Sequence, residues 1–343
     1  MSSPIKIQSD NKNAVANFTE VVSMIRHTHH EVMHLANKAM VDLYWRIGEY
    51  ISLRVTKSSW GKGVVAELAK YIVTNEPEVK GFSAQNLWRM KQFYETYAEN
   101  EKLSTLLREI SWTNNMTIIS RSKSAEEREF YIRLAIKERL SRRDLERQFK
   151  TCTFERTMLS DAKLSPVVRE LAPQAETVFK DNYVLEFITG KEAKPENSFR
   201  HALIAKMKNF VLELGKDFIF FDQEYQLQVG NQDFRIDLLF YHRELQCLVA
   251  FELKTDAFKP EYIGQLNFYL EALDRDVKKP KENPSIGVLL CKSKDNEVVE
   301  YALSRSLSPT MVAEYQLYLP DKKLLQQRMN ELFEQAEEEM EKE

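Results

Sequence analysis

The sequence predicts an all-α first half followed by an α/β second half. Three observations carry this. Apolar residues recur at helical spacing up to about residue 150, the hydrophobic period switches to two near Phe218, and Leu248-Val249-Ala250-Phe251 is wholly apolar, as a central strand covered on both faces should be. The chain has 343 residues, 43% hydrophobic and 29% charged, which is material for two cores rather than one. Nine glycines and ten prolines are too few for long flexible linkers or an all-β fold.

In the first half, Phe18, Val21, Val22 and Ile25, then Leu35, Ala39, Leu43 and Ile47, predict a helix over 15–51, with Asn17 or Thr19 as its cap. A second helix covers 61–73. Lys80-Gly81-Phe82 forms a turn, and Ser83 caps a third helix over 84–97. This outlines a helix-turn-helix with a long linker around Glu76-Pro77-Glu78. Ser124 opens a further helix to about Leu140, and Ser141 caps the next, 142–150. Residues 151–195 form a transition, interrupted at Ser165-Pro166 and Ala172-Pro173.

In the second half a helix over 199–214 stops at Gly215. Strands follow over 218–229, 234–241 and 245–253, then a helix over 260–273 and a buried strand over 285–291. A short helix over 298–304, a strand over 313–319 and a charged helix over 324–343 complete the chain. The order αβββαβαβ describes a mixed sheet flanked by helices. The expected domains are 14–160, helical, and 175–335, α/β.

Charge is uneven. Residues 1–150 hold 24 lysines and arginines against 18 acids, while the rest holds 25 against 34. Either the first half meets a polyanion, or the imbalance is incidental and the acidic tail exaggerates it. Cys152, Cys247 and Cys291 are odd in number and form no paired motif, which implies reduced thiols in a cytoplasmic protein rather than a disulfide or zinc framework. Neither a secretory leader nor a membrane span is expected.

Three charged residues interrupt the apolar strands: Asp237 in Ile236-Asp-Leu-Leu-Phe240, and Glu252 and Lys254 in Phe251-Glu-Leu-Lys254. Charges there are costly to bury without partners. Glu252 and Lys254, two apart, share a face of the sheet, and Asp237 on the neighbouring strand could face them. Two carboxylates make a hard-cation site, to which the backbone carbonyl of Leu253 could add a ligand. Mg²⁺ or Mn²⁺ there would polarise a phosphodiester and acidify a water, with Lys254 acting on that water or on the developing charge. The plain alternative is a surface hairpin with a salt bridge.

The stretches Asp233–Arg243, Phe251–Lys254, Pro260–Leu270, Ile286–Lys292, Val299–Leu303 and Val312–Tyr315 resemble the YhcG-type family of PD-(D/E)xK nucleases. Leu43–Gly48, Lys80–Ser83, Asn86–Met90 and Phe93-Tyr94 resemble that family's helical N-terminal domain, so the likeness spans roughly residues 15–330. It implies a restriction-endonuclease-like αβββαβ core and a metal-dependent nuclease, most naturally of DNA, with Asp237, Glu252 and Lys254 in the motif positions. Gln265 and Tyr269 match the Q-x-x-x-Y element of related nucleases; four apart on a helix, they share one face. One departure stands out. Where the family tends to have Leu-Glu on the helix before the first strand, this chain has Phe199-Arg200. That departure could weaken a metal site, reserve it for one ion, or mark a nuclease fold retained only for binding or assembly. Glu196 and Glu213 are the nearest acids, and the simplest role for Glu213 is surface charge or capping.

For nucleic-acid contacts the sequence offers Arg89 and Lys91 beside Trp88, and Arg142 and Arg143. The helical domain is expected to bind DNA through these helices; a further option is that it joins copies of the chain or binds a partner protein. His30-Glu31-Val32-Met33-His34 matches a zinc-protease pattern by letter, but no third ligand follows at a familiar spacing. Most of Trp45, Trp60, Trp88 and Trp112 are expected in the core.

Overall fold

The computed structural model describes residues 5–340, except 57–61, 161, 173–174 and 194. Trp60 therefore lies outside the described residues. The chain divides into two compact units, Met1–Glu146 and Arg147–Glu343.

The first unit is helical: α1 (Ile5–Thr56), α2 (Lys62–Asn75), α3 (Ala84–Tyr97), α4 (Glu101–Leu106), α5 (Trp112–Arg121), α6 (Ala125–Lys137), and the start of α7 (Arg142–Lys150), in which the division falls. α1 is much longer than its apolar period implied. α4 and α5 fall where no helix was expected, because their apolar positions are few and their starts are set by side-chain caps from Asn100 and Ser111. As expected, Ser83 caps α3, its hydroxyl accepting the Asn86 N–H. Leu87, Met90, Phe93 and Tyr97 form the buried stripe of α3. α1 crosses α3 closely at Gly48, where an added Cβ would meet the Met90 carbonyl oxygen at 2.1 Å. Trp45 packs on Phe93 and Tyr94, and Trp112 packs on Tyr44 and Phe93 while donating to Asn86 Oδ1 at 3.2 Å.

The second unit is an α/β domain. It continues through α8 (Thr153–Met158), β1 (Lys163–Leu164), α9 (Pro166–Leu171), α10 (Ala175–Val178) and β2 (Asn182–Val184). The core elements follow: α11 (Glu196–Ala205), α12 (Met207–Leu214), β3 (Phe218–Val229), β4 (Gln232–His242), β5 (Cys247–Leu253), α13 (Glu261–Ala272), β6 (Ile286–Cys291), α14 (Asn296–Leu303), β7 (Thr310–Gln316) and α15 (Lys322–Met340). One mixed sheet runs β1-β7-β6-β5-β4-β3, with β2 also paired to β7. β3, β4 and β5 form an antiparallel meander, and β5, β6 and β7 are parallel. The expected helix over 199–214 is two helices. The chain turns at Lys206, whose ammonium is drawn to the Glu192 carboxylate at 2.9 Å and the Phe187 carbonyl at 2.8 Å. The last strand begins three residues earlier than expected, because the Pro309 carbonyl accepts the Gly287 N–H and starts the ladder there.

Both faces of the sheet are covered. Phe199 and Leu203 of α11 and Phe210 and Leu214 of α12 pack on Leu238, Phe240, Val249, Phe251 and Leu253. Ile263, Leu266, Tyr269 and Leu270 of α13 pack on the opposite face with Leu239, Leu248, Ala250 and Leu289.

Glu213 corrects the sequence reading. It is fully buried, not a surface or capping charge: its carboxylate receives Arg147 at 2.9 Å, Arg156 at 3.1 Å and the Val184 N–H at 3.1 Å, with Lys180 at 3.4 Å. Burial alone would raise its pKa, but Lys180, Arg156 and Arg147 outweigh this and hold it at about 2. Lys180 is the surplus cation. Burial lowers its pKa to about 8, Glu213 opposing and the two arginines adding to the shift. A carboxylate with a depressed folded pKa contributes stability above its ordinary 4.5, which is lost as pH falls toward 2. Glu213→Gln leaves three cations around a neutral amide, so we expect it to destabilise this unit by about 3–5 kcal/mol at neutral pH. Its acid unfolding between pH 4.5 and 2 should also be shallower than wild type, as read by urea unfolding at several pH values. Equal stability of the two proteins at pH 7 would refute this assignment.

Candidate active site

β4 and β5 pair from His242↔Cys247 to Leu238↔Phe251 and then part. The next register position holds Asp237 and Glu252. Instead of continuing the ladder, the Asp237 carboxylate accepts the Leu253 N–H through Oδ2 at 2.9 Å. Leu248 and Ala250 of β5, and Leu239 of β4, face α13. Strand alternation therefore puts Glu252 on that same face, with Lys254 two residues on. It breaks across Asp237, since Ile236 and Leu239 both face α13 while Leu238 does not, and the Asp237 carboxylate is placed by its bond to the Leu253 N–H. Asp237, Glu252 and Lys254 are all buried.

The Lys254 ammonium donates to Glu252 Oε1 at 2.9 Å, and Glu196, the first residue of α11, lies 3.5 Å from it. Glu252 Oε2 is buried with no hydrogen-bond partner among the described residues. Burial, with the Asp237 charge adding to it, pushes the Glu252 carboxyl up to about 7 against the opposing pull of Lys254. Burial would lower the Lys254 pKa, but Glu252, Glu196 and Asp237 outweigh it and hold the ammonium above the usual lysine range.

Arg200 is also part of the site. Its guanidinium donates to Asp237 Oδ1 at 2.7 Å, to Glu224 Oε1 at 2.9 Å and to Asn197 Oδ1 at 3.0 Å. Glu224 holds a left-handed backbone, φ 47°, at the β3 position facing Asp237 between the pairs Gln223↔Leu238 and Tyr225↔Ile236. Such a conformation is costly for a non-glycine residue and is concentrated at functional sites. Sequence reading flagged Arg200 only as a departure and gave Glu224 no role. The readable signal was an acid and a base four apart on α11, Glu196 and Arg200, ahead of the meander.

On α13, Gln265 Nε2 donates to the Tyr269 hydroxyl at 2.7 Å. Burial raises the Tyr269 pKa against the opposing Gln265 hydrogen bond, and the charges of Glu252 and Asp237 raise it further.

Among the described residues, no three His, Cys, Asp or Glu side chains stand together as a metal cluster. The site offers two carboxylates, one with an orphaned oxygen that a cation would satisfy, and this donor set fits a single hard divalent ion. Leu253 spends its N–H on Asp237. The zinc-protease pattern gathers no such set. His34 lies 3.1 Å from Glu109 and His27 lies 3.4 Å from Glu31, while the His30 side chain lies outside the described residues.

The cationic residues in the helical unit differ in availability. Lys91 is held by the Glu95 carboxylate, at 2.5 Å and 2.6 Å, and lies 5.9 Å above the Trp88 ring. Arg142 bonds Glu146 at 3.0 Å, whereas Arg89 and Arg143 are exposed.

The profile of the YhcG PDDEXK nuclease domain matches residues 176–330, and that of the DUF1016 N-terminal domain matches 20–156. The chain is 31% identical to the protein named "Putative nuclease YhcG" of Escherichia coli (strain K12), over 89% of this chain and 90% of that one. A crystal structure of a repair endonuclease from Pyrococcus abyssi aligns with 34% of this chain at 17% identity and a TM-score of 0.24, and the alignment spans about half, 47%, of that chain.

Proposed function

The chain belongs to the YhcG family of PDDEXK nucleases, and from that premise we propose that it hydrolyses phosphodiester bonds, preferentially in DNA, with one Mg²⁺ or Mn²⁺ held by Asp237 and Glu252. The observation that carries this reading is the buried Oε2 of Glu252, without a hydrogen-bond partner among the described residues, within reach of the Asp237 charge and beside the Lys254 ammonium. The ion supplies Lewis acidity toward the phosphate and a lowered pKa for a water bound to it.

The remaining roles belong to the chain. Asp237 is fixed by the Leu253 N–H, so its second oxygen is aimed rather than free to rotate. Lys254 is kept protonated by three carboxylates and so acts as a fixed positive charge against the phosphate oxygens as negative charge builds. Glu196 positions Lys254 from α11, and Gln265 with Tyr269 walls the cleft and offers donors to a phosphate. Arg200 stands where the family tends to carry a carboxylate. It neutralises one lobe of Asp237, which limits the site to one ion and gives the scissile phosphate a second cationic contact. The helical unit, with Arg89, Lys91, Arg142 and Arg143, is the DNA-binding part in this reading.

Purified wild type is expected to nick or degrade DNA with Mg²⁺ or Mn²⁺ and to be silent in chelator. The assay should include single-stranded, duplex and branched DNA and RNA. Should neither wild type nor Arg200→Glu cleave any of these with either metal, the enzyme reading falls. The Arg200–Asp237 ion pair would then favour a nuclease fold kept for nucleic-acid binding or assembly.

A further inference from the structure

α1 carries an apolar seam that the described residues of its own unit leave uncovered. Counting in sevens from Phe18, the first seam position recurs as Ile25, Val32 and Ala39, and the position three residues on recurs as Val21, Thr28 and Leu35. No charged residue falls on either row from 18 to 39. Phe18, Val21, Ile25, Val32 and Leu35 are each more than half exposed.

The opposite face of the same stretch meets the rest of the unit. Asn37 donates to the Ile110 carbonyl at 3.1 Å, His34 and Lys38 approach Glu109 at 3.1 Å and 3.4 Å, and Val41 is buried. At about 100° per residue the seam centres roughly 160° from that face. The heptad ends at Asp42, which falls on the seam but is held by Arg108 at 2.7 Å.

We infer that α1 pairs with α1 of a second copy of this chain as a parallel two-stranded coiled coil over residues 18–39. A strict seven-residue apolar repeat is the pattern that supercoils helices. β-branched Ile25 and Val32 on the first row with Leu35 on the second favour two parallel strands. The seam is self-complementary, because uncharged rows set no like charges opposite one another when each residue meets its own copy. Three heptads span about 33 Å; seven positions at roughly 100 Å² each give on the order of 700 Å² per helix, near the roughly 800 Å² per partner of a specific interface. The pairing is independent of the proposed chemistry. It would tether two nuclease units, as a cut through both strands of a duplex needs.

The full-length chain at tens of micromolar should sediment at twice 40.3 kDa. Ile25→Asp with Val32→Asp should return it to a monomer with unchanged helical circular dichroism, while Arg26→Asp on the outer face leaves the dimer intact. Val32→Cys should cross-link to itself on oxidation, since in the parallel register each copy of position 32 faces its partner; Cys152, Cys247 and Cys291 are buried and serve as the silent background. A monomeric wild type, a dimer indifferent to the paired Asp substitutions, or a dimer in which Val32→Cys fails to cross-link would overturn the inference. Loss of DNA affinity in the Asp variant without a change of mass would do so too, by assigning the seam to nucleic acid.

Discussion

Lys254→Ala is expected to lower metal-dependent cleavage by a hundred- to a thousandfold while leaving nucleic-acid affinity nearly intact. The ammonium sits 2.9 Å from Glu252 and is buried, so its charge acts in a water-poor cleft where it counts for far more than at the surface. Its interaction grows as charge develops on the phosphate, which places the loss in kcat rather than KM. Asp237→Asn should be as inactive for a different reason: it removes an ion ligand, so high Mn²⁺ should restore part of the rate. Added metal cannot restore Lys254→Ala, because an ion at the carboxylates does not replace a positive charge at the phosphate. Equal Mn²⁺ rescue of both variants would contradict these separate roles.

Arg200→Glu should raise Mn²⁺ affinity by an order of magnitude or more. In the wild type the guanidinium occupies Asp237 Oδ1 at 2.7 Å and opposes an incoming cation. The substitution deletes that positive charge and puts a carboxylate beside Asp237, Glu224 and Glu252. Without metal, five acids, counting Glu196, then crowd around the Lys254 ammonium, so the variant should melt lower than wild type in chelator. Because ligand binding stabilises the folded state in proportion to its affinity, Mn²⁺ should raise its Tm by more than that of wild type. Thermal shift against Mn²⁺ concentration reads this without reference to turnover. An identical Mn²⁺ response in the two proteins would show that Arg200 does not control the ion.

Much of this was legible in the sequence. The meander could be read because period two and buried apolar runs leave few alternatives for its strands, whereas the break in period two at Asp237, where Ile236 and Leu239 share a face, could not. Gln265 and Tyr269 were legible for the same kind of reason, since four residues on a helix make one face. The position of Arg200 was visible, but its partners were not. The contact with Glu224 depends on a left-handed residue in β3, a backbone choice that no side-chain pattern announces. Glu213 was misread because a lone acid near a helix end looks like a surface charge. Its three cations come from 33 to 66 positions away along the chain. The short helices α4 and α5 were missed since their starts are written in single capping residues rather than in a repeat.

The measurement that bears most directly on the account is anomalous diffraction from wild-type crystals soaked in Mn²⁺. One peak is expected, at the Asp237 and Glu252 carboxylates. No peak at these carboxylates at a Mn²⁺ concentration that supports cleavage, or a peak at another cluster of acids, would contradict the assignment of this site as the metal centre.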